Sequence, residues 1–316
     1  MPVSLPSGSL RIGTRGSPLA LAQAHETRGR LIAAHPGLGE PGAIEIVVIK
    51  TTGDRIQDRT LAEAGGKGLF TKEIEEALAE GAVDLAVHSM KDVPTWLPEG
   101  LEMVCLLPRA DPRDAWFSAT GLGLDDLPAG AVVGTASLRR QAQVLARRPD
   151  LVVRPLRGNV GTRLAKLAAG EVAATLLAMA GLTRLGLTDG VTAVLEPDVM
   201  LPAVAQGAIG LECRADDDAT RALLAPLHCA DTGARVVAER ALLAVLDGSC
   251  RTPIAAHARL DGAGGLRLDA LVLRPDGSES FTAVRTGAAA DAESLGSDAG
   301  HELKARLPAD IFACRA

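Results

Sequence analysis

From Arg11 to about Leu227, short apolar runs alternate with stretches of helical periodicity, and this rhythm constrains the fold more than any other feature of the 316-residue chain. Strands alternating with helices are the rhythm of α/β units, so the class is α/β. Strands are predicted at Leu10–Thr14, Ile44–Lys50, Leu85–His88, Met103–Leu107, Val132–Gly134, Leu151–Arg154, Ala174–Leu177 and Ala208–Arg214. A helix is predicted over Thr71–Glu80, where Ile74, Ala77 and Leu78 share one face and Gly81 stands ready to end it. After Ala230 the rhythm changes. One long helix, Thr232–Leu246, precedes strands at Ile254–Leu260, Leu266–Leu273 and Ser280–Thr286 and a closing helix, Ala292–Arg306, which together make an α+β unit.

Loops rich in Pro and charge at Leu107–Arg113 and Glu196–Pro202 read as hinges. They predict three domains: 1–108 with a return segment 202–227, then 109–201, then 228–316. The length agrees, because one hydrophobic core stops growing at roughly 250–300 residues.

Composition excludes several classes. Aromatic residues make up 2% of the chain and the net charge is −6, which disfavours a nucleic-acid partner. Cys105, Cys213, Cys229, Cys250 and Cys314 are odd in number and widely spaced, with no C-x-x-C pair. That argues against a disulfide framework and against a metal site, and fits a reducing compartment. The first residues carry no basic start and no apolar run of secretory length, and Ala173–Leu182, the longest apolar stretch, is too short to span a bilayer. The expectation is a cytoplasmic monomer with no membrane partner.

Of the 33 basic residues 27 are Arg, whose planar fork matches carboxylates and phosphates bidentately. They concentrate between Thr135 and Arg163, where Arg139, Arg140, Arg147, Arg148, Arg154, Arg157 and Arg163 face one acid, Asp150. Ser137 can cap a helix there, placing Arg139 and Arg140 in its first turn. Cations at that position oppose the helix dipole by roughly 0.3–1 kcal/mol each, a cost that a bound anion would reverse. The R-G-N-V-G-T-R loop, Arg157–Arg163, repeats this logic, and R-I-G-T-R-G-S-P places Arg15 and Ser17 at a third strand-to-helix junction. V-H-S-M-K-D-V-P puts His88, Ser89, Lys91 and Asp92 at the carboxyl end of a strand, where open α/β sheets bind ligands. His88 has no second ligand at chelating spacing and reads as structural. The Gly65–Phe70 loop lacks Walker spacing, so it gives no support for ATP. Cys250, in the loop D-G-S-C-R-T-P, is a candidate for covalent work, whereas Cys213 lies mid-strand.

Taken in order, R-I-G-T-R-G-S-P-L-A-L, G-G-K-G-L-F-T-K-E-I-E, V-H-S-M-K-D-V-P, D-P-R-D-A, V-G-T-A-S-L-R-R-Q, R-G-N-V-G-T-R-L, A-G-L-T-R-L-G, L-P-A-V-A-Q-G-A-I-G-L-E-C-R and G-S-C-R-T-P-I closely resemble the porphobilinogen deaminases, also called hydroxymethylbilane synthases. The resemblance runs from Arg11 to Ile254. It implies two lobes resembling those of two-domain solute-binding proteins, plus a smaller α+β C-terminal domain carrying the cofactor cysteine. The implied reaction joins four porphobilinogen molecules head to tail, releasing ammonia each time, on a covalent dipyrromethane primer held by a thioether. By motif, Cys250 would be the attachment point and Asp92 the catalytic carboxylate, assisting departure of the protonated amine and stabilising the azafulvene cation. Lys91, Asp92, Thr135, Ser137, Arg139 and Arg140 would hold the primer. Arg15, Ser17, Arg157, Arg163 and Arg184 would bind incoming substrate and the growing chain. Each pyrrole brings two carboxylates, which accounts for the Arg excess. A non-enzymatic anion receptor and a nucleic-acid binder are the rivals; the missing secretory signal opposes the first, and scarce aromatics with an acidic total oppose the second.

Overall fold

The computed structural model describes residues 8–55, 68–248 and 252–312. Along the chain run β1 (Leu10–Arg15), α1 (Pro18–Ala34), β2 (Ile44–Ile49), α2 (Thr52–Arg55), α3 (Lys72–Ala79), β3 (Leu85–Ser89), β4 (Leu101–Leu106), β5 (Asp114–Ser118), β6 (Val132–Gly134), α4 (Leu138–Arg147), β7 (Val152–Arg154), α5 (Val160–Ala168), β8 (Ala174–Ala178), α6 (Met179–Leu185) and β9 (Ala193–Leu195). There follow β10 (Ile209–Arg214), α7 (Asp218–Leu224), α8 (Ala230–Val245), β11 (Ile254–Leu260), β12 (Gly265–Leu273), β13 (Ser280–Ala288) and α9 (Ala292–Arg306). The predicted strands all occur, and two more join them. Neither β5 nor β9 stood out, because D-A-W-F-S opens on an acid beside a Pro-rich loop and A-V-L is only three residues long.

The chain divides into two compact units. Among the described residues, the first comprises those up to 55, 68–109 and 208–233; the second comprises 110–207 and those from 234 onward. In the first unit five strands lie in the order β2-β1-β3-β10-β4, with β1 parallel to β2 and β3, and β10 antiparallel to both its neighbours. Leu85 and Val87 of β3 and Ile209 and Leu211 of β10 enter the core on one face, with Ala24 and Leu31 of α1. On the other face Ala86 meets Ile74 and Leu78 of α3, the helical stripe anticipated from their spacing.

The second unit repeats the order as β7-β6-β8-β5-β9, parallel for β7, β6 and β8 and antiparallel at β5. Trp116, wholly buried, centres one core cluster with Val133, Val144 and Leu176. The same unit holds the antiparallel sheet β11-β12-β13. Gly296 and Gly300 let α9 close on α8, since a Cβ at Gly296 would overlap the Ala238 carbonyl and one at Gly300 would stand 2.8 Å from Val245 Cβ. Glu239 of α8, wholly buried, accepts from the Ala205 N–H at 2.6 Å and the Ala258 N–H at 2.8 Å, joining the C-terminal sheet to the segment after β9. Among the described residues no helix is long and apolar enough to cross a membrane.

Candidate active site

In the first unit the chain leaves β1 at Arg15 and enters α1 at Pro18, whose fixed φ suits a first helical turn. Ser17 caps the helix, its hydroxyl accepting the Ala20 N–H at 3.3 Å. The Arg15 guanidinium lies over the Phe70 ring, 4.1 Å from its centroid. Such a cation–π contact orients the fork while leaving its charge in place. Phe70 itself packs on Gly53, where any Cβ would overlap the ring.

At the neighbouring strand β3 ends in a single 3₁₀ turn, Met90–Asp92, which carries Lys91 and Asp92 half-exposed at the strand's carboxyl end while Met90 is buried beneath them. Two contacts fix this end. Gln23 of α1 donates to the Ser89 hydroxyl at 2.7 Å, and His88 Nε2 pairs with Glu212 of β10 at 2.8 Å, both side chains buried. His88 therefore buttresses the strand, as its isolation in sequence suggested.

The corresponding junction of the second unit joins β6 to α4. Thr135 Oγ1 accepts the Ser137 N–H at 3.1 Å, and the Ser137 hydroxyl accepts the Arg140 N–H at 3.4 Å as the cap of α4. Arg139 and Arg140 do not lie out in solvent. Their side chains are 4% and 6% exposed and converge on Asp114, the first residue of β5. Arg139 Nη2 donates to Asp114 Oδ2 and Arg140 Nη2 to Oδ1, each at 2.7 Å, while their Nη1 groups donate to the carbonyls of Leu201 at 2.7 Å and Leu176 at 2.9 Å. Gln206 adds a third donor to Asp114 Oδ1 at 2.8 Å. Burial alone would push the Asp114 carboxyl up, but the two guanidiniums outweigh it and hold it well below the usual carboxylate range. The burial that surrounds Arg139 pulls its own pKa down, with Asp114 opposing.

Among the described residues, Nε of Arg139, Nε of Arg140 and Nη1 of Arg157 are buried guanidinium donors with no hydrogen-bond partner. An unpaired buried donor costs about 1–3 kcal/mol, so these are the places where an added carboxylate would gain most. The donor set therefore suits a group that carries several carboxylates.

Further along, Asn159 rather than an arginine begins α5, accepting the Thr162 N–H at 2.9 Å, and Arg163 Nε donates back to the Gly158 carbonyl at 2.8 Å. Arg184, in the last turn of α6, donates to the Gly207 carbonyl at 3.1 Å. Gly207 has φ +90°, and a Cβ there would stand 2.5 Å from the Ala110 carbonyl, so the close crossing of these two segments requires glycine.

Two further arginines of the dense cluster have carboxylate partners, one of them distant in sequence. Arg147 forms two bonds to Asp125 at 2.6 and 2.7 Å, and Arg148 forms two to Asp150 at 2.8 and 2.6 Å. The apparent seven-to-one charge imbalance is thus relieved by Asp114 and Asp125. Of the cysteines, Cys105 and Cys213 are buried in β4 and β10, where burial pushes their thiols up to about 12 and about 11 and so withholds the thiolate. Cys250 lies outside the described residues, which resume at Thr252 just before β11.

The sequence model of the porphobilinogen deaminase dipyrromethane cofactor-binding domain matches residues 10–222, and that of the porphobilinogen deaminase C-terminal domain matches residues 234–305. A porphobilinogen deaminase of Paracoccus denitrificans is 60% identical over 97% of this chain and 97% of its own. A chloroplastic porphobilinogen deaminase of Oryza sativa subsp. japonica is 58% identical over 96% of this chain and 85% of its own. Among solved structures, the periplasmic aliphatic sulphonate-binding protein SsuA of Escherichia coli is 17% identical with a TM-score of 0.41, over 75% of this chain and 70% of that one. A cofactor-binding domain on two α/β sheets followed by a small α+β domain defines the class, a cofactor-bearing transferase of tetrapyrrole biosynthesis. The chain belongs to the porphobilinogen deaminase family, the hydroxymethylbilane synthases.

Proposed function

We propose that this chain polymerises porphobilinogen, four molecules head to tail with release of ammonia, through the following division of labour among its own residues. Cys250 is the attachment point of the dipyrromethane primer. Thr135, Ser137, Arg139, Arg140 and Lys91 hold the primer's carboxylates, and Arg15, Ser17, Arg157, Arg163 and Arg184 receive the incoming pyrrole and the growing chain. The primer, when bound, would supply the nucleophilic pyrrole carbon to which the first new unit is joined. Asp92 keeps its carboxylate at the substrate, where it accepts pyrrole N–H groups and stabilises the positive charge that develops as the protonated amine departs. The arginines supply bidentate donors to acetate and propionate groups without a proton to lose, so they hold a polyanion across the working pH range.

The observation that carries this reading is the set of buried, unpartnered guanidinium N–H groups on Arg139, Arg140 and Arg157. A receptor for a single inorganic anion would not need three such donors spread over a helix start and a separate loop. We further propose that the enzyme works as a cytoplasmic monomer without nucleic acid. Intact-protein mass spectrometry is the test. Purified protein should carry one two-pyrrole adduct, stable to thiol reductants as a thioether is, that maps to the Cys250 peptide. Cys250→Ala should fold normally and lack both adduct and activity, and a fully active protein of unmodified mass would overturn the assignment.

A further inference from the structure

Asp114 takes part in none of the roles above, yet it is the residue around which the second junction is built. It is wholly buried and accepts three hydrogen bonds from side chains of two distant segments, Arg139 and Arg140 of α4 and Gln206 of the crossing after β9. Gln206 donates also to the Pro112 carbonyl at 2.7 Å, so the strand end, the helix start and the crossing meet at one carboxylate. We propose that Asp114 is a positioning residue for the primer, a built-in carboxylate that holds the two guanidiniums side by side by their Nη2 groups and leaves their Nε groups for the primer's own carboxylates. The inference rests on the reading that Arg139 and Arg140 hold the primer.

The charge arithmetic explains why one acid is required and why a second would be harmful. Two guanidiniums with no acid would repel each other in a poorly solvated place, where like charges are strongly unfavourable. Two guanidiniums with two acids would be neutral and would have no attraction left for an anionic ligand. One acid between two arginines leaves one net positive charge, the local surplus that an incoming carboxylate can neutralise. The same geometry fixes both forks before the ligand arrives, so less rotamer freedom is lost on binding.

The test compares apoprotein, made without porphobilinogen, with the same protein after loading by porphobilinogen, using thermal unfolding and intact mass together. In apo Asp114→Asn the two guanidiniums face each other without a counter-charge, and the midpoint should fall by about 10 °C. Loading should then raise the midpoint of Asp114→Asn by several degrees more than it raises that of wild type, because the primer's carboxylates replace the missing one. An equal rise in both would overturn the proposal and leave Asp114 as part of the scaffold only. If Asp114→Asn does not fold, Asp114→Glu decides. It keeps the charge but displaces it by a methylene, so the apoprotein should unfold near wild type while the adduct forms between about tenfold and a hundredfold more slowly. Adduct formation by Asp114→Glu at the wild-type rate would overturn the proposal. The underlying reading fails separately: Arg140→Leu carrying a full adduct would remove the arginines from the primer site whatever Asp114 does.

Discussion

The two five-stranded sheets share one strand order, and each feeds a serine-capped helix from its second-listed strand, yet the two junctions handle arginine in opposite ways. Arg15 precedes its cap, ends its strand and rests on the face of Phe70 with its charge uncancelled by that contact. Arg139 and Arg140 follow their cap, turn inward and are clamped on a buried carboxylate. On the proposed division of labour, Arg15 serves a site that receives and releases successive substrates, whereas a site that keeps one ligand for the life of the protein benefits from forks whose position is fixed before the ligand arrives.

The strongest break in this comparison is all or none. Arg140→Leu should yield protein lacking the Cys250 adduct, while Arg15→Leu should carry the adduct mass and accumulate few enzyme-bound elongation intermediates. Mass spectra of the two variants decide it, and the opposite pattern would exchange the roles of the junctions. Next in size, Asp92→Asn should lower single-turnover elongation by about 10²- to 10³-fold, the usual loss when one charge-stabilising partner is removed. A rate within a few-fold of wild type would take Asp92 out of the chemistry.

A smaller effect separates the junctions by pH. The folded pKa of Asp114 lies below its unfolded value, so its contribution is present above the unfolded pKa of about 4 and is lost as pH falls through the folded one. Burial opposes that shift and the two arginines win, so the second unit should keep this contribution down to strongly acid solution. Acid unfolding followed by circular dichroism should begin below about pH 4 with a steeper dependence in wild type than in Asp114→Asn, which has no proton to take up there. Equal slopes would show that another carboxylate governs the transition.

Ser17→Ala and Ser137→Ala should each cost about 1 kcal/mol in urea unfolding, as loss of a helix cap does. Only Ser137→Ala should also slow adduct formation, because only that cap belongs to the primer side. Least of all, Arg147→Ala should cost no more than about 1 kcal/mol, its bond to Asp125 being solvent-exposed.

Much of this molecule is written locally. The apolar runs of β1, β3, β6 and β8, the stripe of Ile74 and Leu78, and the caps Ser17 and Ser137 follow from side-chain period and from short-range hydrogen bonds, which involve neighbours in the chain. The placement of Lys91 and Asp92 at a strand's carboxyl end is local in the same sense. What sequence alone could not decide was which charges meet. Arg147 looked unpaired because Asp125 lies 22 residues away, and the carboxylate that Arg139 meets was hidden because Asp114 lies 25 residues away on a strand too short to stand out. Ion pairs depend on distance in space and on exclusion of water, and both are fixed only when β5 enters the sheet beside β8 and brings Asp114 under the first turn of α4.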